Sequence, residues 1–572
     1  MYQAGWSKRQ LPLKPQGYAM HGYGQWHHRA HATRLPLMCR AIVLHDSHQQ
    51  HLMFCCLDIG YITHAIREGI CERLGASLGG DFNAEQLVLT CTHTHSGPGG
   101  CSQDGLYNLV TPGYVPEYVE AIVDTASQTI LDAWASTEPT DVSLSVVRFD
   151  NDTPVAWNRS LIAYNQNPEV TPLDNHHTHL ALDRSMPVLA FRRQGQTQAL
   201  VSLFGVHATC VGSGQKAFDG DNKGYAARHA EQQLEADGSR NPVAIFAQGT
   251  AGDVSPHYHG PGQKRRRKAI HGEAEYQYAC HNGEFQSTLA LSALEAVGTA
   301  IAPHRLEALL SYLHLPGRKA DPAYADGNGE AYTSEPCHGV PFFTGTPVDG
   351  PGMPGILAGP AAWRARRLRR KRLSNVNDPG YRDYQRLYQA QGAKDILLEA
   401  GRKQVLGYPL ARLPLPDFAD PLVAEMKRQA RLGALNQSDL VPSVLPLQIV
   451  TIGQMALVCC PGEFTTVAGQ RVRDTVAAQL TGSGIEQVLL MSYCNDYMGY
   501  VTTREEYQQQ CYEGGHTLYG QWTLAVFQTG FAELARQLRL PLEQRSYDRD
   551  TRPQPAPPTE LALRCNIKPP GA

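Results

Sequence analysis

Short apolar runs recur along the chain, and each is followed by a polar or glycine-rich loop. Apolar runs of about four to eight residues that are bounded by turn-forming residues are typical of buried strands. We expect such strands at residues 51–57, 86–90, 199–206, 242–247, 455–460 and 487–491. Longer segments of helical character lie between several of them, at residues 65–78, 116–135, 225–236, 285–302 and 466–480. The alternation predicts an α/β (mixed α+β) fold in which layered β-sheets are flanked by helices.

The middle of the chain departs from this alternation. Residues 260–440 carry two basic runs, at 264–268 and 364–372, among loops rich in proline and glycine. We interpret this region as an elaboration on the core, with surface helices at 379–398 and 420–432 around the rim of the active site. A basic run of this kind is more often a solvated helix face than a binding surface, and we prefer that interpretation here.

The carboxyl end of the chain is predicted to be simple. One large domain spans residues 1–540 and ends in a single helix at 521–538. Residues 541–572 form a tail, and its segment 552–560 is proline-rich and predicted to be extended.

Composition and charge exclude several classes of function. The net charge of −3 and the pI of about 6.8 give no overall attraction to nucleic acid. Several of the 14 cysteines lie in apolar runs and no C-x-x-C pair occurs, so we expect free thiols in a reducing compartment. The first residues lack the apolar stretch of a secretory signal, and no run of about 18 apolar residues occurs. We therefore expect a cytoplasmic protein without a membrane-spanning segment.

Two histidines at the end of a predicted strand are the first candidates for chemistry. His93 and His95 follow the apolar run 86–90 and precede a glycine-rich loop. Residues two apart on a strand point to the same side, so the two imidazoles form half of a metal site. The alternative is a pair of loop histidines that are hydrogen-bonded to backbone.

Three further strand ends carry polar residues, and the ligands of α/β sheets bind outside the carboxyl ends of strands. His207, Ser255 and Glu463 each follow an apolar run. Two or three histidines and one glutamate make a plausible catalytic zinc set with an open position for water. Taken singly, His207 is equally well a core histidine, Glu463 a helix cap and Ser255 a turn residue. The chain contains no G-x-S-x-G elbow that would mark Ser255 as a nucleophile.

Seven ordered motifs between residues 92 and 520 resemble those of the neutral/alkaline non-lysosomal ceramidases. They are THTHSGPGG at 92–100, NRS at 158–160, DNKGYA at 221–226, FAQ with GDVSP at 246–256, DGPG at 349–352, EFTTVAG at 463–469, and YVTT, YEG and LYG within 500–520. The resemblance implies that the domain at residues 1–540 is the catalytic domain of this family. It also implies hydrolysis of ceramide or a related N-acyl sphingoid base.

The resemblance further implies one Zn²⁺ per chain and assigns its ligands. These are His93, His207, Glu463 and Tyr500. Tyr500 rests on the resemblance alone, because tyrosine is not among the usual zinc ligands. Without the resemblance it would be an aromatic rim residue.

Four other residues match the polar active-site positions of the family. They are His95, Arg159, Ser255 and Tyr512. Zinc lowers the pKa of a bound water toward about 7, so that water can attack an amide at neutral pH. His95 would then relay the proton, Arg159 and Tyr512 would hold the substrate or the oxyanion, and Ser255 would orient the amide. An acyl-enzyme formed on Ser255 is the second interpretation.

Departures from the family pattern weaken the substrate assignment more than the reaction type. Members of the family usually are exported and carry an immunoglobulin-like domain after the catalytic domain, and we expect neither here. A different soluble N-acyl amide or ester is therefore an alternative substrate, and a non-catalytic binding protein is an alternative of another class. The expected partners are an N-acyl lipid or other amide substrate and, through transient contact, a membrane surface. We expect no nucleic-acid partner, and the sequence leaves the oligomeric state open.

Overall fold

Most of the predicted apolar runs are strands of two sheets that lie face to face. A computed structural model describes residues 1–109, 113–260, 262–295, 298–346, 348–350 and 352–565, without the side chain of residue 264. The strands are β1 Tyr2–Gln10, β2 Ala32–Thr33, β3 Met38–His45, β4 His51–Leu57, β5 Leu87–Cys91, β6 Glu138–Arg148, β7 Ala156–Asn158, β8 Ser185–Arg193, β9 Gln196–Leu203, β10 Ala217–Phe218, β11 Val243–Ala247, β12 Val254–Pro256, β13 Thr299–Ala300, β14 Leu306–His314, β15 Cys337–Gly339, β16 Ile396–Glu399, β17 Gln404–Val405, β18 Tyr408–Pro409, β19 Val444–Ile452, β20 Met455–Cys459, β21 Glu463–Phe464, β22 Gln487–Met491 and β23 Tyr500–Val501.

The helices follow in the same chain order. They are α1 His64–Leu78, α2 Pro116–Ala135, α3 Leu161–Tyr164, α4 Asp221–Ala236, α5 Gln263–Ala269, α6 Glu273–Glu295, α7 Val340–Phe343, α8 Gly355–Ser374, α9 Tyr381–Gln391, α10 Pro421–Arg431, α11 Thr466–Leu480, α12 Arg504–Gln509, α13 Tyr512–His516, α14 Thr523–Leu538 and α15 Pro558–Cys565. None of the helices in the described ranges is both long and apolar enough to cross a bilayer.

Two sheets and two helical layers make up the core. The larger sheet has the strand order β11-β9-β8-β6-β1-β3-β4-β5, with β13 beside β6, and the smaller has the order β14-β19-β20-β22. Apolar side chains of both sheets share one buried cluster between them. On its outer face the larger sheet packs against α1 and α2 in one half and against α4 and α6 in the other. The smaller sheet packs against α11 and α14. The predicted fold class is confirmed.

The larger sheet is folded back on itself. β1 pairs with β6 through only three residue pairs, from Tyr2 with Thr140 to Ala4 with Glu138. In a flat sheet of this strand order, β5 and β9 would run in opposite directions and would end at opposite edges. Instead, Thr94 and Ala208 in the loops after these strands form a parallel bridge. The carboxyl ends of β5 and β9 therefore meet at one cleft.

The smaller sheet brings two more segments to the same cleft. β20 and β22 are parallel neighbours joined through α11, so both strands end on the same side. The chain beyond each of them forms a short parallel pair, β21 with β23, in which Glu463 lies opposite Tyr500. The active-site residues predicted from strand ends thus come from both sheets.

Two predicted helices have different bounds in the structure. The prediction at 285–302 missed the first twelve residues of α6, where Gly283 lowers the helix propensity. A Cβ atom at Gly283 would lie 2.7 Å from the Asn222 carbonyl oxygen, so the glycine lets α6 approach α4 closely. The prediction at 379–398 was too long, because Gly392 ends α9 with a φ of 52° and the chain continues into β16.

The tail is partly helical and is attached to the domain. Residues 551–557 have no regular structure, and α15 begins at Pro558 inside the segment 552–560 that was predicted to be extended. The carboxylate of Glu560 accepts hydrogen bonds from the backbone N–H groups of Gln437 and Ser438. Arg564 is buried and donates to the carbonyl of Gln103. All 14 cysteines lie in the described residues and are free thiols.

The close contact of α6 with α4 generates a stability prediction. We expect Gly283→Ala to lower the free energy of unfolding by about 1–3 kcal/mol, because the added methyl group must push two backbones apart. Gly75→Ala in α1 is the matched control, since its Cβ would meet only Phe82 at an ordinary 3.6 Å. That change should be neutral or stabilising by up to about 1 kcal/mol. Urea unfolding followed by circular dichroism checks both, and equal midpoints for the two variants would contradict the prediction.

Candidate metal centre and active site

His93 and His207 point the same ring nitrogen into the cleft. His93 follows β5 with a φ of 61°, and its Nδ1 donates to the carbonyl oxygen of Gly60 over 2.5 Å. His207 follows β9, and its Nδ1 lies 3.1 Å from the carbonyl oxygen of Val254. Because a carbonyl only accepts, each Nδ1 carries a proton, and in the neutral imidazole each Nε2 presents a lone pair. Backbone carbonyls therefore fix both imidazoles in the tautomer that ligates metals.

Glu463 and Tyr500 bring oxygen atoms to those nitrogens. The two carboxylate oxygens of Glu463 lie 3.5 Å from His93 Nε2 and 2.8 Å from His207 Nε2. The Tyr500 hydroxyl lies 3.2 Å from His207 Nε2. Tyr497 and Tyr493 donate to the Glu463 carboxylate over 2.5 and 3.3 Å, which fixes its orientation.

These donor atoms fit a metal ion. The Nε2 atoms of His93 and His207 and the carboxylate oxygens of Glu463 face one another in a buried space. In a tetrahedral site with bonds of about 2.0–2.1 Å, the ligand atoms lie roughly 3.3 Å apart, close to the separations observed. His95 Nε2 is also 3.2 Å from His93 Nε2, so His93, His95 and His207 form a buried group that could hold a metal ion.

Burial and neighbouring charges set the protonation of this cluster. Burial alone would raise the pKa of Glu463, but the imidazoles of His93 and His207 hold that pKa well below its usual range. Burial, and then the neighbouring His93, lowers the pKa of His95 well below its usual range. Burial and the nearby Glu463 raise the pKa of Tyr500 well above its usual range. Glu463 is therefore the anion of the cluster, and Tyr500 keeps its proton unless a cation displaces it.

His95 is held by packing rather than by hydrogen bonds to backbone. Its Nδ1 is buried and has no hydrogen-bond partner in the described residues. A Cβ atom at Gly22 would lie 2.3 Å from the His95 ring, so only glycine fits beside it. The ring of Tyr23 packs edge-on at 4.8 Å. The Nε2 atom of His95 therefore lies beside His93, while its Nδ1 atom is available to a ligand or a water molecule.

Arg159 lies on the other side of Tyr500 and is buried in a network of acceptors. Its Nε donates to Glu513 over 2.8 Å and its Nη1 to Asp349 over 3.0 Å. Its Nη2 donates to the Gly252 carbonyl over 2.8 Å and to the Tyr500 hydroxyl over 3.0 Å. Two carboxylates thus hold a permanent positive charge against the Tyr500 oxygen.

Ser255 is tied to the same network through Asp349. It lies in β12, and its hydroxyl donates to an Asp349 oxygen over 2.5 Å. The other Asp349 oxygen accepts from Thr209 over 3.3 Å. Within the described residues, no imidazole lies in hydrogen-bond reach of the Ser255 hydroxyl. The histidine base of a Ser–His acyl-enzyme mechanism is therefore missing from its surroundings, and the group that accepts the Ser255 proton is the Asp349 carboxylate.

Tyr512 closes the cleft next to Arg159 and Tyr500. It begins α13, and its ring centroid lies 5.3 Å from that of Tyr500. The guanidinium carbon of Arg159 lies 5.7 Å from the Tyr512 ring centroid. Together with the preceding contacts, this places all eight residues predicted from the sequence around one cleft. Their individual roles stay predictions.

Sequence reasoning missed four residues of this site. They are Asp349, Tyr493, Tyr497 and Glu513. Asp349 stands in a matched motif and Glu513 follows Tyr512 directly, but nothing in the sequence gave either a role. Tyr493 and Tyr497 follow β22, so the rule that polar residues at strand ends line the cleft, applied to this strand, would have found them.

Comparisons with known proteins identify the family of the chain. The family model of the neutral/alkaline non-lysosomal ceramidases, N-terminal domain, matches residues 2–412 and 427–529. The chain belongs to this family. It is 30% identical to the neutral ceramidase of Pseudomonas aeruginosa over 555 residues, which cover 95% of this chain and 73% of that protein. The neutral ceramidase of Mycobacterium tuberculosis is 30% identical over 530 residues, which cover 91% and 74%.

Solved structures of neutral ceramidases share the fold. The structure of a ceramidase complexed with C2 superposes with a TM-score of 0.77 and 28% identity, over 96% of this chain and 77% of that one. The crystal structure of the neutral ceramidase from Pseudomonas aeruginosa gives a TM-score of 0.75 and 27% identity, over 96% and 76%. Membership in the ceramidase family supports a hydrolase.

The buried charges around Arg159 generate a prediction that needs no substrate. We expect Arg159→Met to lower the free energy of unfolding by about 3–5 kcal/mol, because Glu513 and Asp349 would stay buried without their cation. Arg366→Met is the matched control, since its ion pair with Asp395 leaves the arginine side chain 66% exposed. That change should have a much smaller effect, because solvent screens the exposed pair. Urea denaturation checks both, and a similar loss in the two variants would refute the argument.

Proposed function

We propose that this protein is a zinc-dependent amidohydrolase that cleaves the amide bond of ceramide or a related N-acyl sphingoid base. Water is consumed, and the products are a fatty acid and a free amine. The observation that carries the proposal is the chain of close contacts in a member of the ceramidase family: Glu463 lies 3.5 Å from His93 and 2.8 Å from His207, and His207 lies 3.2 Å from Tyr500. The names of the relatives support ceramide as the substrate class.

The donor set suits one zinc ion held by those four residues. Zinc bound there would acidify a water molecule and polarise the amide carbonyl. The backbone carbonyls behind His93 and His207, and the tyrosines behind Glu463, keep the ligands oriented before substrate arrives.

His95 is the residue best placed to move protons. It contacts His93 through Nε2, while its Nδ1 has no partner in the described chain. An imidazole in this position takes a proton from water as the carbonyl carbon is attacked, and returns it to the nitrogen that leaves as the amine. The reaction therefore needs no net uptake or release of protons by the site.

Arg159 and Tyr512 serve the carbonyl side of the reaction. The guanidinium of Arg159 is fixed by Glu513 and Asp349 before substrate binds, so its charge needs no reorganisation when the carbonyl oxygen becomes negative. The Tyr512 ring lies against both Arg159 and Tyr500 and limits the space beside them. Ser255, held by Asp349, orients the amide from the third side.

Metal content tests the ligand assignment. We expect about one zinc per chain in the wild type, measured by mass spectrometry of the purified protein, and loss of most of it in His93→Ala and Glu463→Gln. His95→Ala should keep the metal and lose activity, because its role is proton transfer. His229→Ala in α4, a histidine outside the cluster, is the control and should keep both. A wild type without zinc, or zinc retained by His93→Ala, would overturn the assignment; zinc lost by His95→Ala would make His95 a ligand.

Pre-steady-state kinetics test the role of Ser255. If Ser255 only orients the amide, Ser255→Ala should lower kcat on the order of 10²–10³-fold while a slow reaction persists. Rapid quenching of the wild type with ceramide should show no burst of amine and no acyl group on residue 255. A burst, together with an acyl adduct that disappears in Ser255→Ala, would show that Ser255 is a nucleophile after all.

A further inference from the structure

Helix α8 has apolar side chains on its outer surface where a soluble helix would have polar ones. Ile356 is 83% exposed, Leu357 56% and Trp363 55%. Ile356 and Trp363 are seven residues apart and therefore lie on one face of the helix. We call these three residues, with Arg367, Arg370 and Lys371, the α8 surface.

The second half of the same helix carries positive charges, most of which have no acidic partner in the described chain. α8 contains no acidic residue in its 20 positions. Arg366 pairs with Asp395, but within the described chain no carboxylate lies in ion-pair distance of Arg367, Arg370 or Lys371. The sequence alone favours a solvated helix face for this run. The exposed apolar residues one to three turns earlier change that interpretation, because solvation of the cations does not explain them.

A short segment connects the amino end of α8 to the catalytic cleft. Asp349, which accepts the hydrogen bond of Ser255, precedes Gly355 by six residues, so the two are at most roughly 20 Å apart. On the other side of Asp349, the ring of Phe342 in α7 packs against Tyr512 at 5.6 Å. α8 is therefore joined at its amino end to a segment that forms part of the cleft wall.

We propose that the α8 surface docks the protein on a lipid bilayer that carries anionic headgroups. Ile356, Leu357 and Trp363 enter the boundary between headgroups and acyl chains, and the cations beyond them contact the headgroups. The proposal deepens the proposed function, because a lipid amide would then be met at the membrane beside the cleft. A nucleic acid would match the charges but would leave the two aliphatic side chains in water.

Sedimentation with vesicles tests the docking without any hydrolysis. The probe is a set of ceramide-free vesicles of phosphatidylcholine with or without 30 mol% phosphatidylserine. We expect the full-length protein to partition at least about tenfold more strongly to the anionic vesicles, and about 0.5 M NaCl to remove most of that difference. The charge-reversal variant Arg367→Glu/Arg370→Glu/Lys371→Glu should lose at least about tenfold in partitioning. The apolar variant Ile356→Ser/Trp363→Ser should also bind severalfold more weakly.

The matched control changes the net charge equally at exposed residues outside α8. Lys14→Glu/Arg240→Glu/Arg318→Glu should bind nearly as the wild type does. Three results would overturn the proposal. The wild-type protein could show no preference for anionic vesicles, the α8 variants could bind like the wild type, or the control variant could lose as much binding as the α8 variants. Tighter binding to heparin or RNA than to vesicles, unaffected by Ile356→Ser/Trp363→Ser, would assign the surface to a polyanion instead.

A soluble short-chain N-acyl substrate separates this proposal from the proposed function. Hydrolysis of that substrate should be the same in the wild type and the α8 variants, because none of the changed residues touches the cleft. Failed docking with intact hydrolysis refutes the docking alone. Intact docking in a protein that hydrolyses neither the soluble amide nor ceramide refutes the proposed function alone.

Discussion

The burial at one point of four side chains that can ligate a metal ion is the constraint around which this molecule is built. His93 and His207 each donate the Nδ1–H group to a backbone carbonyl, and Glu463 is held by two tyrosine hydroxyls. The two Nε2 atoms and the carboxylate face one another away from water, so a cation or shared protons must balance the carboxylate charge. The rest of the structure either brings these side chains together or keeps them oriented.

The fold meets that constraint through two non-local features. The larger sheet bends at the short contact of β1 with β6, so that strands at different places in its order end at the same cleft. The smaller sheet adds the β21–β23 pair, which sets Glu463 beside Tyr500 in register. The same cleft then receives Arg159, whose charge is balanced by carboxylates from two distant segments. The proposed metal donors and the residues proposed to face the oxyanion are thus positioned by different parts of one framework.

The sequence predicts local elements well and their assembly poorly. Strands such as His51–Leu57 and helices such as Pro116–Ala135 follow from apolar runs and periodicity, which depend on near neighbours only. The bend of the larger sheet depends on pairings between distant segments and leaves no local pattern. The partners of Arg159 lie 190 and 354 positions away, which is why Asp349 and Glu513 received no role. Tyr500 was found only because the chain resembles a family.

The pairing of Glu463 with Tyr500 also affects when the site can form during synthesis on the ribosome. His93 emerges first, and Tyr500 follows 407 positions later (500 − 93). At about 5–20 residues per second, the early donors wait roughly 20–80 s for their last partner. During that interval the proposed metal site lacks part of its donor set. The site is therefore complete only when the last strand pair closes, after most of the chain has been made.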